Sequence, residues 1–422
     1  MSNSKKNYLP FCMWIIPLLF FTYQFILRLW PGLMMHQIME QFSIDASHFG
    51  VLAALYYYGY SGMQIPVALM LERFSTRYVV FALILLCSLA TLTFSYTSNW
   101  YLACLSRFLI GAGSAVGFLG VSKVVSEWFP KAQYARMIGF SFSVGLVGAI
   151  YGGKPVSLLV ASYSWQQVIL FLAAIALLIG LSAYLFLKSP LDFQSKENKQ
   201  FKLSYFKTLL TSPFIWMLAL ANLLMVGSLE GFADVWGVSY LMTAFSLPKG
   251  EAAQLISFIF VGMLFGGPFL AFFSKRLGNY LVICLAGLLM AVAFLLLISS
   301  TEYNWYWFAG LLFIIGMMCC YQVIVFAAGA ELVSSQLLGV TIALLNCINM
   351  LGGSFFHTII GRVMDVFWTG AFNPDGTRLY TLESYKAALT LIPYCAIFGA
   401  CLVGLLGFLL HYQRGREQTC AI

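Results

Sequence analysis

Charge is what this sequence lacks most. Asp, Glu, Lys and Arg make up only 9% of its 422 residues, where a soluble domain carries about a quarter. An ordinary water-soluble domain is excluded, and the vacated positions are apolar, 61% of the chain being hydrophobic. Histidine is as scarce, with four scattered residues, His36, His48, His357 and His411, so no metal site is read. The ten cysteines form no C-x-x-C pair, and Cys87, Cys104, Cys284, Cys347 and Cys401 sit inside apolar runs, where packing is the expected role. There is no phosphate-binding loop, no Ser–His or paired-Asp arrangement and no His-x-x-x-His. An enzyme and an ATP-driven machine are therefore not expected, nor is any cofactor. The alternating pattern of an outer-membrane barrel is missing too. What fills the chain is long apolar runs, each near the roughly 20 residues that a membrane-spanning helix needs.

The formal charge of +8 would suggest a nucleic-acid partner in a soluble protein, so the placement of the charges decides. Spans fit at about 10–30, 49–71, 78–96, 100–122, 137–160, 166–187, 213–237, 252–273, 280–299, 305–328, 338–361 and 387–410. Alternate loops then put Lys5, Lys6, Arg73, Arg77, Lys123, Lys131, Arg136, Lys188, Lys196, Lys199, Lys202, Lys207, Lys275, Arg276, Arg414 and Arg416 on one face. The other face keeps Lys249, Arg362, Arg378 and Lys386. By the positive-inside rule both termini are cytoplasmic, and no nucleic-acid partner is needed to explain the basic excess. The first apolar stretch, Phe11 to Leu27, has no small-x-small cleavage site and reads as a span rather than a signal peptide. The polar, lysine-bearing stretch from Lys188 to Lys202 divides the chain near its middle. It gives an N-terminal half over 1–188, a cytoplasmic linker over 189–212 that can also touch anionic lipid, and a C-terminal half over 213–422.

Two short stretches look like copies. Ala68-Leu-Met-Leu-Glu-Arg-Phe-Ser-Thr-Arg77 and Ala271-Phe-Phe-Ser-Lys-Arg-Leu-Gly-Asn279 each close an apolar run with an Arg-bearing turn that leads into the next run. Such internal duplication points to parallel halves of one fold. The first copy resembles the signature loop of the major facilitator superfamily, Gly-x-Leu-x-Asp-Arg-x-Gly-Arg-Arg. Ala68, Met70, Glu72, Arg73, Ser75, Thr76 and Arg77 stand at its places, keeping the acid, the first Arg and the last basic residue but not the glycines. Arg107-Phe-Leu-Ile-Gly111 resembles the Arg-x-x-x-Gly of that family's fourth span. The glycines 139, 145, 148, 152 and 153 before Pro155 resemble its fifth, and Arg28-Leu-Trp-Pro-Gly and Tyr56 to Pro66 resemble a bacterial inner-membrane branch. The resemblance implies an all-α membrane protein of twelve transmembrane helices in two six-helix pseudo-symmetric halves. It also implies a multi-pass inner-membrane transporter working by alternating access.

Ionisable residues within spans are costly and normally face a cavity or a partner. Here they are Arg28, Arg107 and Lys154 in the first half and Glu230 and Asp234 in the second. Gln24 and Arg28 share a helix face at i, i+4, as do Glu230 and Asp234, while Asn346 and Asn349 are adjacent at i, i+3. With Tyr57 and Gln322, the substrate-binding candidates are Gln24, Arg28, Tyr57, Arg107, Lys154, Gln322, Asn346 and Asn349. Glu230 and Asp234 are the proton-coupling candidates, because a carboxyl at membrane depth can relay a proton. Blander readings stand beside these. Arg28 can snorkel to the interface near Trp30, Lys154 can mark a helix end, and Glu230 and Asp234 can cap a helix or pair across the halves with Lys154 or Arg28. Glu72, Arg73 and Arg77 are expected to form a conformational latch or, at least, a topological anchor. Gly262, Gly266 and Gly267, with the glycines of span 5, are expected along the seam between the halves.

A cationic first half and an acidic second half suit a small polar solute bearing a carboxylate: an organic anion, an amino acid or a short peptide. The expected partners are that small molecule, protons and membrane lipids, and the expected state is a monomer. Two rivals remain: a multidrug or metabolite efflux pump, favoured by the 17% aromatic content, and a non-transporting receptor on a transporter fold.

Overall fold

In the bilayer interior no water is available to bond the backbone, so apolar stretches must satisfy their own N–H and C=O groups as helices. The structure, a computed structural model, describes residues 8–188, 209, 211–334 and 337–420, with backbone only from 414 onward; most of the expected linker lies outside these residues. Among the described residues the regular structure is helical apart from one isolated bridge between Phe372 and Arg378. Its first part comprises α1 (Leu9–Leu33), α2 (Met35–Phe42), α3 (Ala46–Arg73), α4 (Thr76–Tyr96), α5 (Trp100–Ser114), α6 (Val116–Trp128), α7 (Lys131–Gly152), α8 (Lys154–Ser162) and α9 (Trp165–Phe186). Then come α10 (Pro213–Met225), a π-helix (Gly227–Trp236), α11 (Gly237–Phe245), α12 (Lys249–Leu277), α13 (Asn279–Ser299) and α14 (Trp305–Cys319). The chain closes with α15 (Tyr321–Glu331), α16 (Leu338–Val366), α17 (Leu382–Leu389) and α18 (Leu391–Cys420).

Eleven stretches of the described residues are long and apolar enough to cross a bilayer, which makes this a multi-pass membrane protein. The expected second span is not among them. Helix α3 has the length, 28 residues, but Tyr56 to Gln64 places four tyrosines, two glycines, a serine and a glutamine in its middle. Of those tyrosines, Tyr56, Tyr57 and Tyr60 are buried and Tyr58 is exposed.

The chain divides into two compact units, Met1–Trp30 with Leu55–Lys199 and Pro31–Ala54 with Gln200–Ile422. In the first unit α4 packs on α5 and α9, and α3 meets α5 backbone to backbone. A Cβ at Gly111 would lie 1.9 Å from the Tyr56 carbonyl oxygen, and one at Gly59 would lie 2.0 Å from that of Phe108. Only glycine allows so close an approach. In the second unit α12 packs on α14, α13 on α18, and α10 on both α16 and α18. The same close approach recurs there: a Cβ at Gly316 would lie 1.9 Å from the Ile259 oxygen, and one at Gly262 2.1 Å from that of Phe313.

Other details repeat at the same spacing of roughly 200 residues. Helices α4 and α13 each have 21 residues, and α5 and α14 each have 15. Asn99 and Asn304 cap the latter pair, each accepting from a backbone N–H three residues on at 3.1 Å. Within their own unit, Gly262 and Gly266 lie against the backbone of α14, while a Cβ at Gly267 would meet nothing within 4 Å. Gly148 likewise abuts the Thr22 oxygen of α1, in its own unit. A glycine in a span reveals that some backbone comes close, not which one.

Candidate functional site

In the first unit the site grows where α1 runs on into a proline. Pro31 has no N–H, so the carbonyl of Leu27, four residues before it on α1, loses its helical donor. Arg107 of α5 supplies the replacement, its Nη1 donating to the Leu27 oxygen at 3.1 Å. The side chain is 1% exposed, and its Cζ lies 5.1 Å from the ring centroids of both Trp30 and Tyr56. Arg28, half-buried, rests in the same manner on Phe25 and Tyr57, each at 5.5 Å. Tyr56 touches Tyr57 edge to face and stacks on Tyr60. A guanidinium over an aromatic face keeps its N–H fork available in the ring plane while the ring offsets part of its desolvation. The structure thus brings Arg28, Tyr57 and Arg107 into one aromatic setting. Gln24 is buried one turn before Arg28, its Oε1 against Gly117, where a Cβ would approach within 2.4 Å. Lys154 is exposed and opens α8 at the break after Gly153.

In the second unit the two acids stand on the π-helix. Ten residues is long for a form usually met as a single-turn bulge, often at functional sites. Glycine lets a neighbour lie against it, since a Cβ at Gly227 would meet the Phe356 ring at 2.6 Å. All ten residues are buried, Glu230 to 1% and Asp234 to 3% exposure. Glu230 lies within electrostatic reach of Cys319 and Tyr321, at the break between α14 and α15. Close to that break is a set of amides. Asn349 Nδ2 donates to Gln322 Oε1 at 3.2 Å, Asn222 Nδ2 to the Leu345 oxygen at 3.4 Å, and the Tyr321 hydroxyl to the Asn222 carbonyl at 3.1 Å. Asn346, half-buried, lies one turn before Asn349 on α16.

Several residues that sequence reasoning missed clamp the segment 31–54 into the second unit. Asp365 accepts from Ser47 N at 2.8 Å, from Arg378 Nη1 at 3.0 Å, and from the hydroxyls of Ser47 and Tyr380. Tyr380 in turn accepts from Ala46 N at 2.9 Å, and Arg378 reaches Asp45 at 3.6 Å while lying on Trp368. Burial pushes the Asp45 carboxyl up, but hydrogen bonds from His48 and the nearby Arg378 charge outweigh it and hold the group below the usual range. That lowered value makes the contribution of Asp45 to stability fully present at neutral pH and lost as pH falls through the acid range. Burial pulls Arg378 down and Asp365 and Asp45 more than restore it. His36, expected to stand alone, pairs with Asp375 at 3.1 Å and has Glu40 nearby, the three ligand atoms lying within 4.8 Å of one another. Chain separation hid the contacts of this segment with Asp365, Asp375, Arg378 and Tyr380.

At the two copied loops, Glu72 and Arg73 are exposed, and Arg77 lies on the Tyr184 ring at 4.8 Å. The acids that pair there come from elsewhere. Glu127, closing α6, accepts from Thr76 Oγ1 at 3.1 Å and has Lys123 Nζ at 3.6 Å. Glu331, closing α15, accepts from Asn279 Nδ2 at 2.6 Å. Thr76 and Asn279 are the first residues of α4 and α13, so the likeness of the two stretches extends to individual hydrogen bonds.

A sequence model of the Major Facilitator Superfamily matches residues 13–357. The chain belongs to that superfamily. Its members are transporters and not enzymes, in keeping with the absence of catalytic groupings from the sequence. Over 153 residues this superfamily member is 28% identical to the uncharacterised transporter YybO of Bacillus subtilis, covering 36% of this chain and 35% of that one. Over 160 residues it is 26% identical to the hexuronate transporter of Escherichia coli, covering 37% and 36% respectively. The chain thus spans about a third of the length of these curated relatives. Among solved structures, a bacterial homologue of the human lysosomal transporter Spinster, inward-facing and occupied, superposes with a TM-score of 0.75 over 96% of this chain and 98% of that one. At 16% identity it shows the fold.

Proposed function

We propose that this protein is a secondary transporter that moves a small polar organic anion, in the class of organic acids, amino acids and short peptides, across the inner membrane. It works by alternating access between two six-helix halves, 1–188 and 213–422, with twelve spans, α3 included, and both termini cytoplasmic. It functions as a monomer and is driven by protons. The observation that carries this reading is the pair of guanidinium groups, Arg28 and Arg107, set on the faces of Phe25, Tyr57, Trp30 and Tyr56 at membrane depth. Such forks match a carboxylate bidentately. The hexuronate transporter among the relatives is named for an acid of this kind. The repeated backbone contacts, caps and loop hydrogen bonds support the two halves.

A thermal-shift panel tests the reading, because a ligand that binds only the folded state raises apparent stability. Purified protein is expected to be stabilised by one family of carboxylates and not by their methyl esters. Stabilisation by cationic drugs alone would favour an efflux pump, and binding without flux in vesicles would favour a receptor.

In this scheme Glu72, Arg73 and Arg77 latch the cytoplasmic side in a state other than the one described. Glu72→Gln is expected to lower uptake severalfold, whereas Lys275→Gln, at the matching place in the second loop, leaves it nearly intact. Equal losses would reduce both loops to topological anchors.

A further inference from the structure

A group of a different kind lies within the second unit, outside the long apolar stretches, where the segment 31–54 meets the loop between α16 and α17. Helix α2 rests on Met35, Ile38 and Met39, which are buried. Its opposite face presents His36 and Glu40, one turn apart at i, i+4 and both exposed. The third group comes from the loop, where Asp375 sets its Oδ2 3.1 Å from His36 Nε2. The imidazole nitrogen and one oxygen of each carboxylate lie within 4.8 Å of one another.

The loop aims that oxygen. Gly376, at φ 85°, turns the chain, its N–H donating to the Asn373 oxygen at 3.0 Å while Asn373 N donates to that of Thr377 at 2.8 Å. Asp375 Oδ1 is then occupied by Thr377, accepting from its N at 2.9 Å and from its Oγ1 at 2.6 Å. Oδ2 is the oxygen left to face His36. The Thr377 hydrogen bonds, side chain first, outweigh desolvation and hold the Asp375 carboxyl below the usual range, so at neutral pH it is an anion.

Two features separate this trio from an ordinary ion pair. One imidazolium balances one carboxylate, yet Glu40 brings a second carboxylate into the same few ångströms, which is unfavourable unless more positive charge lies between them. The spacing also fits, because ligands about 2.0–2.2 Å from one zinc ion stand roughly 3.0–3.5 Å apart, and the His36–Asp375 contact falls in that range. A carboxylate steadied through its other oxygen is the usual support of a metal ligand. Beside the trio opens a cleft of about 170 Å³, lined in part by Glu40, Ser43, Asp375 and Thr377, with room for the waters that complete a coordination shell. Arg378 also lines the cleft, but its charge is engaged by Asp45 and Asp365.

We propose that His36, Glu40 and Asp375 bind a divalent transition-metal ion of the zinc class, which staples α2 to the loop 371–379. An imidazole ligand selects such ions over Mg²⁺, which prefers oxygen ligands alone. Neither the site nor its test depends on the identity of the transported solute.

The test is calorimetry of Zn²⁺ and Mg²⁺ on metal-free, tag-free, full-length protein. Zn²⁺ is expected to bind with one-to-one stoichiometry and at least about tenfold tighter than Mg²⁺. His36→Ala and Asp375→Asn should each weaken Zn²⁺ at least about tenfold, and Thr377→Val, which frees the supported carboxylate without touching the ion, by about tenfold. His411→Ala, at an exposed histidine elsewhere, should leave the affinity unchanged. All four side chains lie in exposed or loop positions, and an unshifted thermal midpoint without metal confirms that each variant folds. Zn²⁺ should also slow amide hydrogen exchange over 35–42 and 373–377 in the unaltered protein and not in His36→Ala. Absence of Zn²⁺ binding, equal affinity for Zn²⁺ and Mg²⁺, or binding that survives both His36→Ala and Asp375→Asn would overturn the site. Unchanged exchange in the zinc-bound protein would overturn the staple.

Discussion

Replacing Arg107 with alanine is expected to lower substrate uptake by about a hundredfold or more, the scale on which truncating a buried, hydrogen-bonded charge acts. The expectation has two sources. The guanidinium is the most deeply buried cation of the aromatic setting and, in the proposed function, one of the two groups that grip the carboxylate. It also fills the Leu27 carbonyl that Pro31 leaves open. These roles separate experimentally. Arg107→Lys keeps a charge that can reach a carbonyl but loses the planar fork, so it should recover folding, read by monodisperse gel filtration and thermal midpoint, without recovering substrate binding. Uptake by Arg107→Ala equal to that of the unaltered protein would remove this residue from the site.

The second large effect is expected at Glu230. Glu230→Gln keeps the shape of the side chain on the π-helix but cannot release or carry a proton. If Glu230 couples protons to the substrate, the variant should lose accumulation driven by a pH gradient entirely while retaining exchange of labelled for unlabelled substrate across the membrane. Asp234→Asn should be milder, because it is Glu230 that lies within reach of Tyr321 at the break between α14 and α15. A variant that accumulates substrate normally would rule out Glu230 as the carrier. Loss of both accumulation and exchange would place it in binding instead of coupling.

How much of this was legible in the sequence differs residue by residue. Arg107 stood out because a lone cation in an apolar run is costly, and even its carbonyl partner could have been read from Pro31 four residues after Leu27. The amphipathic pairings Gln24 with Arg28 and Asn346 with Asn349 follow from helical spacing. The partner of Asn349, Gln322, sits on another helix, and no periodicity joins them. The π-helix was invisible as well, because hydropathy does not distinguish it from an α-helix; Gly227 and Gly231 were the only hint of a close neighbour. The outer clamp of Asp45, Asp365, Arg378 and Tyr380 was missed because loop charges were weighed only for the side of the membrane they marked. The duplication itself was visible in the loops, yet the acids that pair beside them, Glu127 and Glu331, lie a whole helical hairpin further on. Aligning the two copies past the loops was the available signal.

The most direct measurement is uptake of a labelled carboxylate, chosen by the thermal-shift panel, into proteoliposomes holding only this protein, with and without an imposed pH gradient. The account predicts accumulation above the external concentration when a gradient is present, its collapse on adding a protonophore, and little effect on exchange at equilibrium. Equal filling with and without the gradient, or no uptake of any carboxylate by folded protein, would contradict it.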